Sequence, residues 1–271
     1  MSLYLCRQEP VKHPFYFEGL GVRLYSSQEL CYVIYNNPLL VMDGFVDKNL
    51  LLFIRDDLDM PFLAAKLEKW QQSGEEEDEL LAVILHECDY YNAAEVSRFR
   101  QRLTGYRRLP AAEFLKEKAD FLFSGKQYGK AAAEYRKVFE LPGTERGEGA
   151  FQAKIYNNLG AAYARLFMTE KACQAYQKSF DLVKSNDVLK RICHLSRWNG
   201  GLALNERFQA LMTDELKQEC ESEREKADEA AAGADSLLEL EDLFRKDPIK
   251  RFQGAGELVR KWKQEYRNIM S

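Results

Sequence analysis

The chain has 271 residues, 46% of them hydrophobic, enough material to bury a core and to build one large or two ordinary domains. Its net charge of −4 removes any global attraction to nucleic acid or to an anionic membrane as the main partner. Six cysteines (Cys6, Cys31, Cys88, Cys173, Cys193, Cys220) lie far apart without a CxxC pair, which points to reduced thiols in a cytoplasmic protein rather than a disulfide frame.

At the amino terminus, the run Leu3–Cys6 is cut short by Arg7 and Pro10, so no secretion signal is expected. Residues 1–25 read as short extended pieces broken by Pro10, Pro14, Gly19 and Gly21. Ser26 with Glu29 forms a capping box for a helix that Pro38 should end. Asp47 opens a strongly apolar helix through Ile54, and Pro61 stands in the first turn of a third that stops near Ser73-Gly74. The acidic run Glu75–Glu79 suits the positive end of a helix dipole, and that helix should reach about Tyr90. Asn92 with Glu95 caps another, to about Leu103. The apolar run Leu80–Leu85 is too short to cross a bilayer, which takes ~18 residues or more, and no membrane partner is expected.

Between Ala112 and Asn186 the chain repeats itself. Ala119, Leu122, Ala131, Tyr135 and Val138 recur 41 positions later as Gly160, Tyr163, Ala172, Tyr176 and Ser179. In each copy a small residue precedes an Ala by 12 positions, and a Tyr follows four residues after that Ala. This spacing describes two helices closed into a hairpin by small-against-large packing. The segment Pro142–Gly149, with one Pro and three Gly, cannot continue a helix and suits a surface loop between the copies.

Tyr156, Leu159, Gly160, Tyr163, Ala172 and Tyr176 together resemble the unit of the tetratricopeptide repeat family, and the resemblance covers about a quarter of the chain. That family's period is near 34 residues, so the offset of 41 requires an insertion of seven, which the 142–149 loop can supply; a period of 41 also fits HEAT-type repeats. The resemblance implies a binding scaffold in which the first helix of each hairpin lines a concave groove for an extended peptide or a partner's tail. Mapped onto this chain, the groove residues are Lys116, Asp120 and Phe123 from the first copy and Lys154, Asn157, Asn158, Ala161 and Arg165 from the second, with Lys190 and His194 extending it. Some members grip a terminal carboxylate with Lys and Asn, and Lys116, Asn158 and Lys190 stand where parts of that clamp would be. Asp120 stands where the clamp wants Asn, and an acid there would repel a carboxylate. The plain alternative for each residue is a solvated helix face.

After the repeats, Val188–Trp198 reads as a helix stopped by Asn199-Gly200-Gly201. Thr213 and Asp214 open a long polar helix to about Ala232, Ser236 with Glu239 caps a short one that Asp247-Pro248 should end, and a last helix runs from about Ala255 to Met270. Val259, Trp262, Tyr266 and Ile269 form one stripe on it, which is expected to dock on the repeats or on a second copy of the chain, making a homo-oligomer. Residues 214–229 carry eight acidic and three basic side chains, and 245–267 eight basic and three acidic, so these helices are expected to lie side by side.

The expected fold is therefore all-α: a mainly helical amino-terminal domain (1–108), helical repeats (109–211) and carboxy-terminal helices (212–271). Nothing marks an enzyme. Gly19-Leu20-Gly21 and Gly254-Ala255-Gly256 lack the third glycine of a dinucleotide fingerprint, and His86 and Cys88 point apart on a helix, so neither a metal nor a cofactor is expected. Two other readings stay open. An enzyme would need a pocket around His13, Tyr16 and Tyr35; an RNA or acidic partner would use Arg98, Arg100, Arg102, Arg107 and Arg108, a run without acids whose plain reading is a solvated face.

Overall fold

The computed structural model describes residues 11–142, 149–202 and 204–270, with the side chains of Asn268 and Met270 left aside. It is 76% helical, and its one sheet is a two-stranded hairpin, too small to alter the all-α class. The run Leu3–Cys6 and residues 143–148 of the expected loop lie outside the described residues. The chain divides into two compact units, 1–118 and 119–271.

In the first unit, the extended pieces pair as β1 (Phe15–Phe17) and β2 (Val22–Leu24), with Phe15 opposite Leu24. Gly21 turns the chain between them at φ +68°, where a Cβ would be strained. Helix α1 (Ser27–Asn36) starts at Ser26, whose side chain accepts from the Glu29 amide. Pro38 does not simply stop it, but opens the short α2 (Pro38–Val41) from its first-turn position, where a missing N–H costs nothing. Asp47 caps α3 (Lys48–Leu52), which passes into a π-helical turn, Phe53–Asp57. Helices α4 (Pro61–Gln72), α5 (Glu77–Glu87) and α6 (Ala93–Arg107) follow. Helix α5 ends near Cys88, short of Tyr90, because Asp89 takes a left-handed φ of 51°. Helix α6 starts with the full Asn92/Glu95 capping box and runs four residues past Leu103.

Every residue from Leu80 to Leu85 is buried, so α5 is apolar on all sides and occupies the centre, touching α1, α4 and α6. Each such Leu or Ile contributes roughly 1.5–3 kcal/mol by leaving water. That centre explains why no amphipathic period is visible in the sequence here.

Helix α7 (Ala111–Ser124) carries the division between units, after Lys118. The second unit continues through α8 (Tyr128–Glu140), α9 (Gly149–Arg165), α10 (Thr169–Leu182) and α11 (Asn186–Trp198). The internal echo is present in the backbone: Lys126 and Phe167, 41 residues apart, both take left-handed φ near 60°. Behind them the Gln127 amide donates to Leu122 O and the Met168 amide to Tyr163 O, both at 2.9 Å, closing each helix end in the same way. In the α9–α10 hairpin, Ser179 donates to Ala153 O at 2.8 Å while Gly160 faces Tyr176, so the two helices run antiparallel. A Cβ on Gly160 would stand 2.6 Å from the Tyr176 ring: glycine is required by close packing, the small-against-large contact that the spacing predicts. Ala119 and Tyr135, both buried, are the matching pair of the first hairpin.

The remaining helices are α12 (Glu206–Leu211), α13 (Asp214–Ala232), α14 (Asp235–Arg245) and α15 (Pro248–Met270). Three expectations are corrected here. Asp247-Pro248 begins the last helix instead of ending the one before, because Asp247 Oδ1 accepts from the Ile249 and Lys250 amides at 3.1 Å and Pro occupies the first turn. The acidic α13 takes its cations from α11 and not from the basic last helix: Glu219 and Glu223 meet Lys190, Glu223 meets His194, and Glu221 meets Arg197. Within the unit, α15 does not dock through Val259, Trp262 and Tyr266, all of which are exposed; its buried residue is Leu258. Gly254 lets it approach α14, since a Cβ there would stand 2.5 Å from Leu243 Cδ1, and its other neighbour is α8.

Candidate functional site

In the second unit, a groove of about 540 Å³ opens over the last turns of α7 and the middle of α9. Six of the residues selected from the sequence line it together: Asp120, Phe123, Asn157, Asn158, Ala161 and Arg165. Helical spacing explains the grouping, since Asn157, Asn158, Ala161 and Arg165 are one, three or four residues apart and share a face.

The floor is a chain of hydrogen bonds across four helices. Tyr135 on α8 and Asn158 on α9 both donate to Asp120 Oδ1, the latter at 3.1 Å. Asn157 Nδ2 donates to Asn158 Oδ1 at 3.3 Å, and Arg191 on α11 donates to Asn157 Oδ1. Asp120 is thus an organiser of the floor, orienting two neighbours, and not a bare charge facing the opening. Above the floor stand two guanidinium groups, Arg165 over the Tyr128 ring at 5.9 Å and Arg191 over Tyr176 at 6.0 Å, held by cation–π attraction. Burial pushes the Tyr176 hydroxyl up, against an opposing pull from Arg191 and Arg165. The groove therefore offers carboxamides, two cations and aromatic faces, a set suited to a peptide with acidic character.

A second hollow of about 800 Å³ shares Ala164, Tyr176 and Arg191 with the first and continues past His194 and Trp198 to Glu223 and Asp228 on α13. His194 lines this hollow and Lys190 lines neither, and both are paired with α13: Glu223 lies 3.2 Å from Lys190 Nζ and 2.9 Å from His194 Nε2. His194 and then Lys190 hold the Glu223 carboxyl below its ordinary value, and Glu219 with Glu223 raises Lys190. Lys154 is exposed and lines neither hollow. Lys116 falls in the first unit, half-buried, 3.3 Å from Glu117. Sequence reasoning missed Tyr135, Tyr176 and Arg191 as groove residues. The tyrosines are visible in the sequence as packing residues of the echo, and Arg191 stands 34 residues after Asn157.

The other two readings meet different surroundings. His13 and Tyr16 line a hollow of about 860 Å³ in the first unit, but Tyr35 does not; it stacks on Tyr91 at 4.1 Å beneath the Arg102 guanidinium. The aspartates of that hollow have other duties: Asp57 accepts from the His13 amide, Asp47 caps α3, and Asp43 pairs with Arg107. In the arginine run, Arg100 makes a two-pronged pair with Glu79. Arg107 reaches Asp78, Asp43 and Met42 O, and its pKa is raised above the ordinary guanidinium value, with Asp78 the main cause. Arg102 donates to Tyr35 O at 2.6 Å. Three of the five arginines thus fasten α6 to the rest of the unit, although all five are exposed. Among the described residues no group of His, Cys, Asp or Glu is placed to hold a metal ion, and no helix is long and apolar enough to cross a membrane.

Comparison with protein-family models, curated proteins and solved structures gives no match to this chain.

Proposed function

We propose that residues 119–271 form a tetratricopeptide-like helical-repeat module, and that the groove over α7, α9 and α11 binds an extended segment of a partner protein, without catalysis. The observation that carries this reading is that six residues chosen from the repeat pattern line one groove. The 34-residue step from Asn157 to its neighbour Arg191 supports the tetratricopeptide unit over longer repeats. Arg165 and Arg191 favour an acidic side chain or chain terminus, while Asn157 and Asn158 suit a peptide backbone.

Peptide selection from a random display library on the full chain tests this. The expected outcome is a family of acidic peptides whose binding is lost with Arg165→Glu and with Ala161→Phe, which fills the groove. Arg165 is exposed, so its reversal should leave the melting curve unchanged. Selected peptides that bind both variants as tightly as the parent would place recognition elsewhere.

A further inference from the structure

We propose that α15 is an interfacial helix that lays its aromatic stripe on an anionic lipid surface. The helix is held by Gly254 against Leu243, by the buried Leu258, by Lys261 at 3.3 Å from Glu239 on α14, and by its contacts with α8. Beside these contacts, Phe252, Val259, Trp262 and Tyr266 fall within about 100° of one another around the helix axis. All four are exposed, Phe252 at 83%. From Phe252 to Tyr266 the stripe is about 21 Å long on a continuous helix. An apolar stripe of this length is unusual on a surface that nothing covers.

Charge selects the occupant. Pro248–Met270 holds six basic side chains and two acidic ones, Glu257 and Glu265. Lys263 and Arg267 border the stripe on its outer side, and neither makes an ion pair among the described residues; Arg251 borders it on the other, over the Phe244 ring at 5.8 Å. Aromatics in one row with lysine and arginine along both flanks match a headgroup layer, where rings sit at the acyl boundary and cations reach the phosphates. A second copy applied stripe to stripe would bring two cationic helices together, so charge opposes that pairing. The helix lies on the surface and does not span it, so the absence of an apolar span among the described helices is consistent with this binding.

Sedimentation of the full chain with phosphatidylcholine vesicles, with and without phosphatidylserine, tests the proposal. The expected result is salt-sensitive binding to the phosphatidylserine vesicles alone. Lys263→Glu with Arg267→Glu should weaken it at least about tenfold, each cation near such a surface contributing on the order of 1 kcal/mol. Phe252→Asp should weaken it too, and the exposure of Phe252 makes an unchanged melting curve the expected control. Failure to bind at low salt, or binding that both variants retain, overturns the proposal. So does concentration-dependent self-association in light scattering that Phe252→Asp abolishes, which would assign the stripe to a second copy. Because the groove residues are untouched, these outcomes are independent of the peptide-binding reading.

Discussion

Helix α5 of the first unit buries six consecutive residues, whereas α13 of the second, nearly twice as long, buries only Cys220. The first is held by displaced water acting on every face, the second by ion pairs and a thin seam to α11. Burial makes a helix indispensable to its unit; surface charge makes it detachable. The α9–α10 hairpin stands between the two, closed along one tight contact line and flanked by α8 and α11.

The largest effect should come from the centre of the first unit. Leu81→Ala removes a fully buried side chain and should cost about 2–5 kcal/mol, read as a lower denaturation midpoint of that unit. A cost under about 1 kcal/mol, the level of a tolerated swap, would break the comparison by showing that α5 is not central.

At the hairpin, Gly160→Val should cost about 1–3 kcal/mol through overpacking against Tyr176. Gly105→Ala is its counterpart on α6: nothing lies within 4 Å of the added carbon, so about 0.5–1 kcal/mol of stabilisation is expected. Equal responses at the two glycines, measured by chemical denaturation, would contradict the packing assigned to Gly160.

The first unit should also show an alkaline response. Desolvation is the main cause that pushes the Tyr91 hydroxyl up to about 12, so the folded unit keeps its proton after the unfolded chain has lost it. Its contribution is complete below the ordinary tyrosine value of 10 and fades as pH rises from there towards 12. Tyr91→Phe should flatten this slope in a stability-versus-pH series.

The smallest effect belongs to α13. Glu223 is depressed by His194 and Lys190, so its contribution is present above the ordinary carboxylate value of 4.5 and is lost as pH falls below it. Amide exchange in α13 should accelerate in that acid range before exchange in α10 does, and Glu223→Gln should remove the pH dependence of the difference. Simultaneous acceleration in both helices would mean that α13 is as firmly built in as the hairpins.

Features set by neighbours in sequence were legible from the chain: the Ser26, Asp47 and Asn92 caps, the Pro61 start, and the small-against-large hairpins with six of their groove residues. Asp247-Pro248 was misread because the same dipeptide can follow one helix and cap the next, and only the chain direction afterwards decides. The charge runs were matched by total, but ion pairs follow which surfaces meet, and α11 reaches α13 first. For α15 the stripe was visible, yet periodicity reports that a face is apolar and not whether this chain covers it. Lys116, Lys154, Lys190 and His194 were placed by analogy of position, which does not foresee the division inside α7 or the carboxylates of α13.

The α9–α10 hairpin has a consequence for biosynthesis. Its helices are joined by a three-residue turn, Leu166–Met168, so both sides of the interface leave the ribosome within a few seconds of each other at ordinary elongation rates. Contacts so close along the chain can close while translation continues. Helix α15 is in the opposite position, because its partner α8 was made more than a hundred residues earlier. It can take its place only after Leu258 has emerged, so chains stalled before Leu258 should carry finished hairpins with the α8 flank still bare.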